Sequence, residues 1–242
     1  VKKITVLTIF TLLAILASVF YTYGRGIWYP VFLEIKGKRS TADVIQEYSQ
    51  TTRAELSPLF KQAGISYPPK KLALIAFKET NELQVWASDT AENYKQVTTY
   101  PVLAASGVIG PKLKEGDKQV PEGIYKIEGF NPNSAYHLSL KLNYPNKFDL
   151  KYANLEGRSE PGSNIFIHGK AVSVGCLAIG DKAIEQLFTL VHATKASNTS
   201  VIISPYDLSS RKLIAPEHAP QWTAELYQNI TTHYQKITDN ND

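Results

Sequence analysis

The chain has 242 residues, 43% of them hydrophobic, and a formal net charge of +4. That is enough for one substantial core with a short segment at either end. Residues 1–40 hold six Lys/Arg (Lys2, Lys3, Arg25, Lys36, Lys38, Arg39) against Glu34, so residues 41–242 together carry one negative charge. This leaves no basic face for nucleic acid and points instead to a basic, membrane-proximal flank.

From Ile4 to Tyr23 no residue is charged, about the 20 residues a helix needs to cross a bilayer. Residues 1–24 are read as a signal anchor or signal peptide. Thr22-Tyr23-Gly24 is the only passable cleavage site, because Ala14, Ala17 and Ser18 lack the small-x-small spacing, and an uncleaved anchor is favoured. Residues 25–70 follow as a linker and helical lead-in. Tyr29–Ser40, with Pro30 and Lys36-Gly37-Lys38-Arg39, reads as irregular. Thr41–Ala63 has helical spacing, with Thr41 as N-cap and a break at Pro58.

At Lys71 the texture becomes short apolar runs between turn residues, which predicts strands. These are Leu72–Phe77, Leu83–Ala87, Gln96–Ala105, Gly123–Ile127, Tyr136–Leu142, Ser163–His168 and Ser200–Ile203. The first two flank Glu79-Thr80-Asn81 as a hairpin. His137, in an alternating run, is expected to point outward. A helix is predicted over Asp181–His192, capped by Asp181, with Ile184, Leu187, Phe188 and Val191 on one face. The fold class is therefore mainly β with a packed helix, over a domain at 71–205. Residues 206–242 form an extension with a helix at Trp222–Lys236 and a polar end at Thr238–Asp242.

One cysteine, Cys176, rules out an internal disulfide and leaves a free thiol. Its surroundings are chemical: an apolar strand ends at His168-Gly169, and Ser173-Val174-Gly175-Cys176 comes just before the helix. A thiol is only a few per cent ionised at neutral pH, so a nucleophilic cysteine needs an adjacent base, and His168 supplies one. Gly175 permits a sharp turn that offers its own N–H and that of Cys176 to an oxyanion. A pair so activated is expected to be alkylated faster than a free peptide cysteine at pH 6. Metal binding needs at least three ligands, and the lone Cys-His pair falls short.

The stretch resembles the active-site motif of the L,D-transpeptidase catalytic domain (YkuD-type), a His-Gly followed by Ser/Thr-x-Gly-Cys. Upstream, Gly110-Pro111-Lys112, Glu115-Gly116-Asp117, Pro121-Glu122-Gly123-Ile124-Tyr125 and Tyr144-Pro145-Asn146 with Phe148-Asp149 are also similar to that domain, in the same order. The resemblance implies the L,D-transpeptidase catalytic fold and a periplasmic enzyme acting on peptidoglycan stem peptides; the sequence shows no nucleotide-binding glycine loop, redox motif or metal cluster, so no cofactor is expected. Cys176 would be the acylated nucleophile and His168 the base. Gly169 would orient the base through its carbonyl, and Ser173 and Gly175 would shape the oxyanion pocket.

Two departures stand out. Only Lys170, Ala171 and Val172 separate the two halves of the motif, where the common transpeptidases have about fifteen residues, and Ala178 stands where an Arg or Asn is usual. The compact form is similar to a YafK-like branch of the family that includes an amidase releasing murein lipoprotein from diaminopimelate. A peptidoglycan-linked lipoprotein is thus a candidate partner. A domain that binds peptidoglycan without catalysis is the rival reading from another class.

Overall fold

The structure is a computed structural model that describes residues 2–90 and 92–239. α1 (Lys2–Tyr23) is the helix long and apolar enough to cross a membrane among the described residues, and none of its apolar stretch is buried. The side chains of Lys2 and Lys3, and the polar end at 240–242, lie outside the described residues. The expected linker is in part a helix, α2 (Arg25–Lys36), which carries Pro30 inside it.

α3 (Thr41–Gln62) runs through Pro58 without ending there. Its cap is Ser40 rather than Thr41. The Ser40 hydroxyl accepts from the Asp43 N–H (3.1 Å) and the Asp43 carboxylate accepts from the Ser40 N–H (2.7 Å), a reciprocal capping box. These bonds, against a smaller cost of burial, hold the exposed Asp43 carboxyl below its ordinary range. Ser40→Ala should cost about 1 kcal/mol, seen as a lower urea midpoint at unchanged slope.

Eight strands come next among the described residues: β1 (Lys71–Phe77), β2 (Glu82–Ser88), β3 (Lys95–Pro101), β4 (Gly123–Ser134), β5 (His137–Leu142), β6 (Phe166–His168), β7 (Leu177–Ala178) and β8 (Thr199–Ser204). They form one sheet in the order β3-β2-β1-β8-β4-β5-β6-β7. β1 pairs parallel with β8 and β6 with β7, and the other neighbours are antiparallel. α4 (Lys147–Leu155), α5 (Asp181–Thr194) and α6 (Thr223–Thr238) complete the fold.

β1 explains the two layers of helix. A strand sends alternate side chains to opposite faces. Leu72, Leu74 and Ala76 join the core that also holds Val44, Leu56 and Phe60 of α3 and Ile184, Leu187 and Phe188 of α5. Ala73, Ile75 and Phe77 meet Leu226, Tyr227, Ile230 and Tyr234 of α6 on the other face. A strand covered on both sides reads as an unbroken apolar run, as Leu72–Phe77 does. The C-terminal helix is thus the second cover of the sheet.

Three expectations about local structure are corrected. α5 is capped by Gly180, at φ 83°, with no side-chain bond, because the Asp181 carboxylate is occupied elsewhere. His137 does not point outward. Its backbone turns to φ 78°, and its ring packs edge-on to Tyr48 and bonds Glu185 of α5 (2.6 Å). β4 runs seven residues beyond the expected end at Ile127, because its partner β5 continues alongside as a long hairpin.

Candidate functional site

β6 delivers His168 at its end, paired in register with Ser139 of β5 and Ala178 of β7. The strand is short, so the loop beyond it must be held by other bonds. The Ile179 N–H donates to the His168 carbonyl (2.9 Å) and the Gly180 N–H to the Lys170 carbonyl (3.1 Å). Asp181 finishes the join, accepting from the Lys170 N–H (2.8 Å) and its ammonium (2.5 Å). Burial of Asp181 would raise its pKa, but the Lys170 bonds outweigh that and hold the carboxyl below its usual range. The loop 170–175 is in this way tied off at its base, with Lys170 itself at φ 58°.

Gly169 is required for space. A Cβ there would lie 2.7 Å from both the Asp181 carboxylate and the Tyr136 carbonyl. The close approach lets its own carbonyl turn to the His168 Nδ1, 2.7 Å away. A carbonyl only accepts, so Nδ1 carries the hydrogen and Nε2 keeps its lone pair. The imidazole is buried, with the Tyr136 ring tilted against it at 4.8 Å between ring centres. Burial lowers its pKa below the ordinary value, only partly offset by the Gly169 bond.

Cys176 is half-buried at the other end of the loop. Burial raises its thiol pKa, while a bond from the Phe166 backbone and the positive charge of Lys112 pull the other way. The thiol donates to the Asn164 carbonyl at 3.8 Å. With the thiol raised and the imidazole lowered, the resting pair is neutral on both sides. The expected fast alkylation at pH 6 therefore does not fit the resting site, since it needs a standing thiolate.

Gly175 adopts φ 85°, where a side chain is strained. Both N–H groups expected to face an oxyanion are engaged at rest. Gly175 donates to the Ser106 hydroxyl (2.7 Å) and Cys176 to the Ser173 hydroxyl (3.0 Å), which donates back to the Cys176 carbonyl (2.7 Å). The reason is general: a backbone N–H withdrawn from water needs a partner until a ligand replaces it. Ser106, which also donates to the Lys118 carbonyl (2.6 Å), holds the loop from 69 residues away in sequence.

His168, Ser173 and Cys176 open together into one cleft of about 240 Å³. Its other walls are Phe166 and Val174 and a hairpin wall of Asn131, Ser134, Ala135, Tyr136 and Ser139. Gly169 and Gly175 stand behind this lining. The hairpin wall and Ser106 were not singled out from the sequence. Nothing in their local pattern marks them, because pairing across distant segments brings them here. Ala178 is fully enclosed and bridged to Ala104, so its position has no room for a guanidinium. Among the described residues no group of three His, Cys, Asp or Glu is placed to hold a metal ion.

Residues 74–203 match the L,D-transpeptidase catalytic domain, YkuD. The chain is 29% identical over 154 residues to YafK of Escherichia coli (strain K12), whose name places it provisionally among the L,D-transpeptidases. That match covers 63% of this chain and 54% of the relative, so the chain spans about half of YafK's length. Among solved structures, Pgp2 of Campylobacter jejuni (the K307A mutant), titled a helical cell shape determining protein, superposes with a TM-score of 0.46 at 20% identity, over 68% of this chain and 55% of that one. Bd1075 of Bdellovibrio bacteriovorus gives 0.43 at 19%, over 71% and 57%. The sequence match, which spans more than half of the chain, makes the protein a member of the L,D-transpeptidase catalytic domain (YkuD) family.

Proposed function

We propose that the protein is a peptidoglycan-modifying cysteine enzyme of the cell envelope, with its catalytic unit at 71–205, carried or exported by α1 to the periplasmic side of the inner membrane. The observation that carries this reading is His168, its Nδ1 held 2.7 Å from the Gly169 carbonyl, sharing one cleft with the Cys176 thiol. As a stem-peptide amide enters, Nε2 of His168 takes the thiol proton while the sulfur attacks the carbonyl carbon. The oxyanion takes over the Cys176 N–H from the Ser173 hydroxyl, a charge-assisted bond replacing a neutral one. His168 then gives its proton to the departing amine, and a thioester remains on Cys176.

An incoming amine or water resolves the thioester, with His168 again taking a proton. Transfer to an amine makes an L,D-transpeptidase. Water makes an amidase at diaminopimelate, able to release a peptidoglycan-linked lipoprotein. The second reading is favoured by the three-residue loop 170–172 and the enclosed Ala178, which leave less wall to hold an acceptor peptide.

Mass spectrometry of muropeptides separates these outcomes, using peptidoglycan with and without attached lipoprotein and the Cys176→Ala variant as control. New cross-linked or amine-exchanged species that require Cys176 are the mark of transfer. Released protein or newly freed diaminopimelate ends, without new links, are the mark of the amidase. No Cys176-dependent product on either substrate would leave a peptidoglycan-binding module and end the catalytic reading.

A further inference from the structure

The helix is interrupted at Gly24, whose N–H donates to the Phe20 carbonyl (2.8 Å), and α2 begins at the next residue. Across this break Trp28 lies over Tyr21, rings stacked at 5.2 Å and the indole N–H donating to the Tyr21 carbonyl (3.2 Å). Arg25 lies against Trp28, its guanidinium 4.9 Å from the ring centre, and its Nε–H donates to the carbonyl of Ala135 (2.5 Å). Beyond the other end of α2, the Arg39 N–H donates to Asn133 Oδ1 (2.8 Å) and its guanidinium to the Pro132 carbonyl (3.1 Å). Asn133 returns a bond from its amide to the Arg39 carbonyl (2.7 Å). Both ends of α2 are thus fastened to the 132–135 stretch of the hairpin that walls the cleft.

The opposite side of α2 is bare. Ile27, Val31 and Ile35 recur every four residues and form one stripe. They are 73%, 57% and 84% exposed. Side chains of this kind gain free energy when they leave water for an apolar surrounding. We infer that this stripe lies on the surface of the bilayer that α1 enters, so that α2 is an interfacial helix strapping the rim of the cleft to the membrane. The inference rests on α1 spanning that membrane.

The occupant is lipid because of continuity. Gly24 alone separates the two helices, so Ile27 lies within four residues of the apolar span, each reaching at most about 3.5 Å. Tyr21, Trp28 and Tyr29 cluster at the junction, and aromatic rings of that kind favour the level of the lipid headgroups. Residues 25–39 carry Arg25, Lys36, Lys38 and Arg39 against Glu34, which borders the stripe. That balance suits an anionic lipid surface.

The test places single cysteines, in the Cys176→Ala background of the 242-residue chain, at Leu13, Val31, Ile35 and Asn154, each labelled with an environment-sensitive dye. The protein is reconstituted in vesicles of phosphatidylethanolamine and phosphatidylglycerol. Labels at 31 and 35 should emit to the blue and be quenched severalfold by lipids spin-labelled near the headgroup. The label at 13 should respond to deep quenchers, and the one at 154 to none. Water-like emission at 31 and 35 with a buried label at 13 would overturn the inference. Water-like emission at 13 as well would remove the membrane span, and the strap with it. The readout is independent of activity, so a failure of the proposed chemistry leaves it intact.

Discussion

Replacing His168 by alanine is expected to slow Cys176-dependent product formation about a thousandfold, within the range of about 10²–10⁴ ordinarily lost with a general base. The size of the effect comes from the resting ionisation. Burial raises the thiol and lowers the imidazole, so almost no thiolate waits in the cleft for substrate. The proton must move during attack, and His168 is the group proposed to take it. A standing thiolate would make the loss smaller, because the sulfur would already be charged. Cys176→Ala should leave no turnover at all, and Cys176→Ser little, since a hydroxyl is harder still to deprotonate.

The pH dependence carries the same sign. His168 must be neutral to act as a base, and its pKa lies below the ordinary value of about 6.5. The acid limb of kcat/KM is therefore expected below pH 6.5. Alkylation of the resting thiol by iodoacetamide should rise only at a pH above that of a free peptide cysteine. Stability is linked as well. Between the lowered folded pKa and about 6.5 the unfolded chain binds more protons at this residue. Stability from His168 is thus present above pH 6.5 and is lost as pH falls through that window. An acid limb above 6.5 would contradict a lowered imidazole pKa, and a thiol alkylated quickly at pH 6 would replace the neutral pair with a preformed ion pair.

The pattern of the chain discloses its parts unevenly, for physical reasons. β1 and the face of α5 are legible because burial forces their periodicity: both faces of Leu72–Phe77 are covered, and Ile184, Leu187, Phe188 and Val191 must all turn inward. α4 is missed because its nine residues bury only Ala153 and show little stripe. Its local signal is the capping box of Asn146 and Asp149, three residues apart. α2 is missed because Pro30 and two glycines read as a linker, and because its outward face is apolar where a surface helix should be polar. At the site, His168 and Cys176 announce themselves by their neighbours in sequence. Tyr136, which covers the imidazole, and Ser106, which holds Gly175, are set by strand register and loop packing, and neither leaves a mark within a few residues.

Lys78→Met is expected to be strongly destabilising, by about 3–5 kcal/mol, the usual cost of leaving one partner of a buried ion pair alone. The Lys78 side chain is 6% exposed, and its ammonium donates to Glu122 (2.9 Å) and to the carbonyls of Val108 (2.6 Å), Gly110 (3.1 Å) and Val120 (3.2 Å). Burial pulls its pKa down, with Glu122 opposing. Glu122 is fully buried and also accepts from the Gly110 N–H (2.7 Å) and the Tyr227 hydroxyl of α6 (2.7 Å). Removing Lys78 strands a carboxylate in the core. The backbone is less exposed to the loss, since the Gln119 amide also donates to the Val108 and Gly110 carbonyls. Lys78→Met with Glu122→Leu should therefore recover part of the stability, and a double mutant that loses less than the sum of its singles is the signature of the coupling. The same pair clamps the loop that presents Ser106 to Gly175, so the single variant should also lose turnover at temperatures where it remains folded. Urea midpoints of the two singles and the double decide it: simple additivity would mean that Lys78 and Glu122 each serve the backbone alone, and that the loop is held by other bonds.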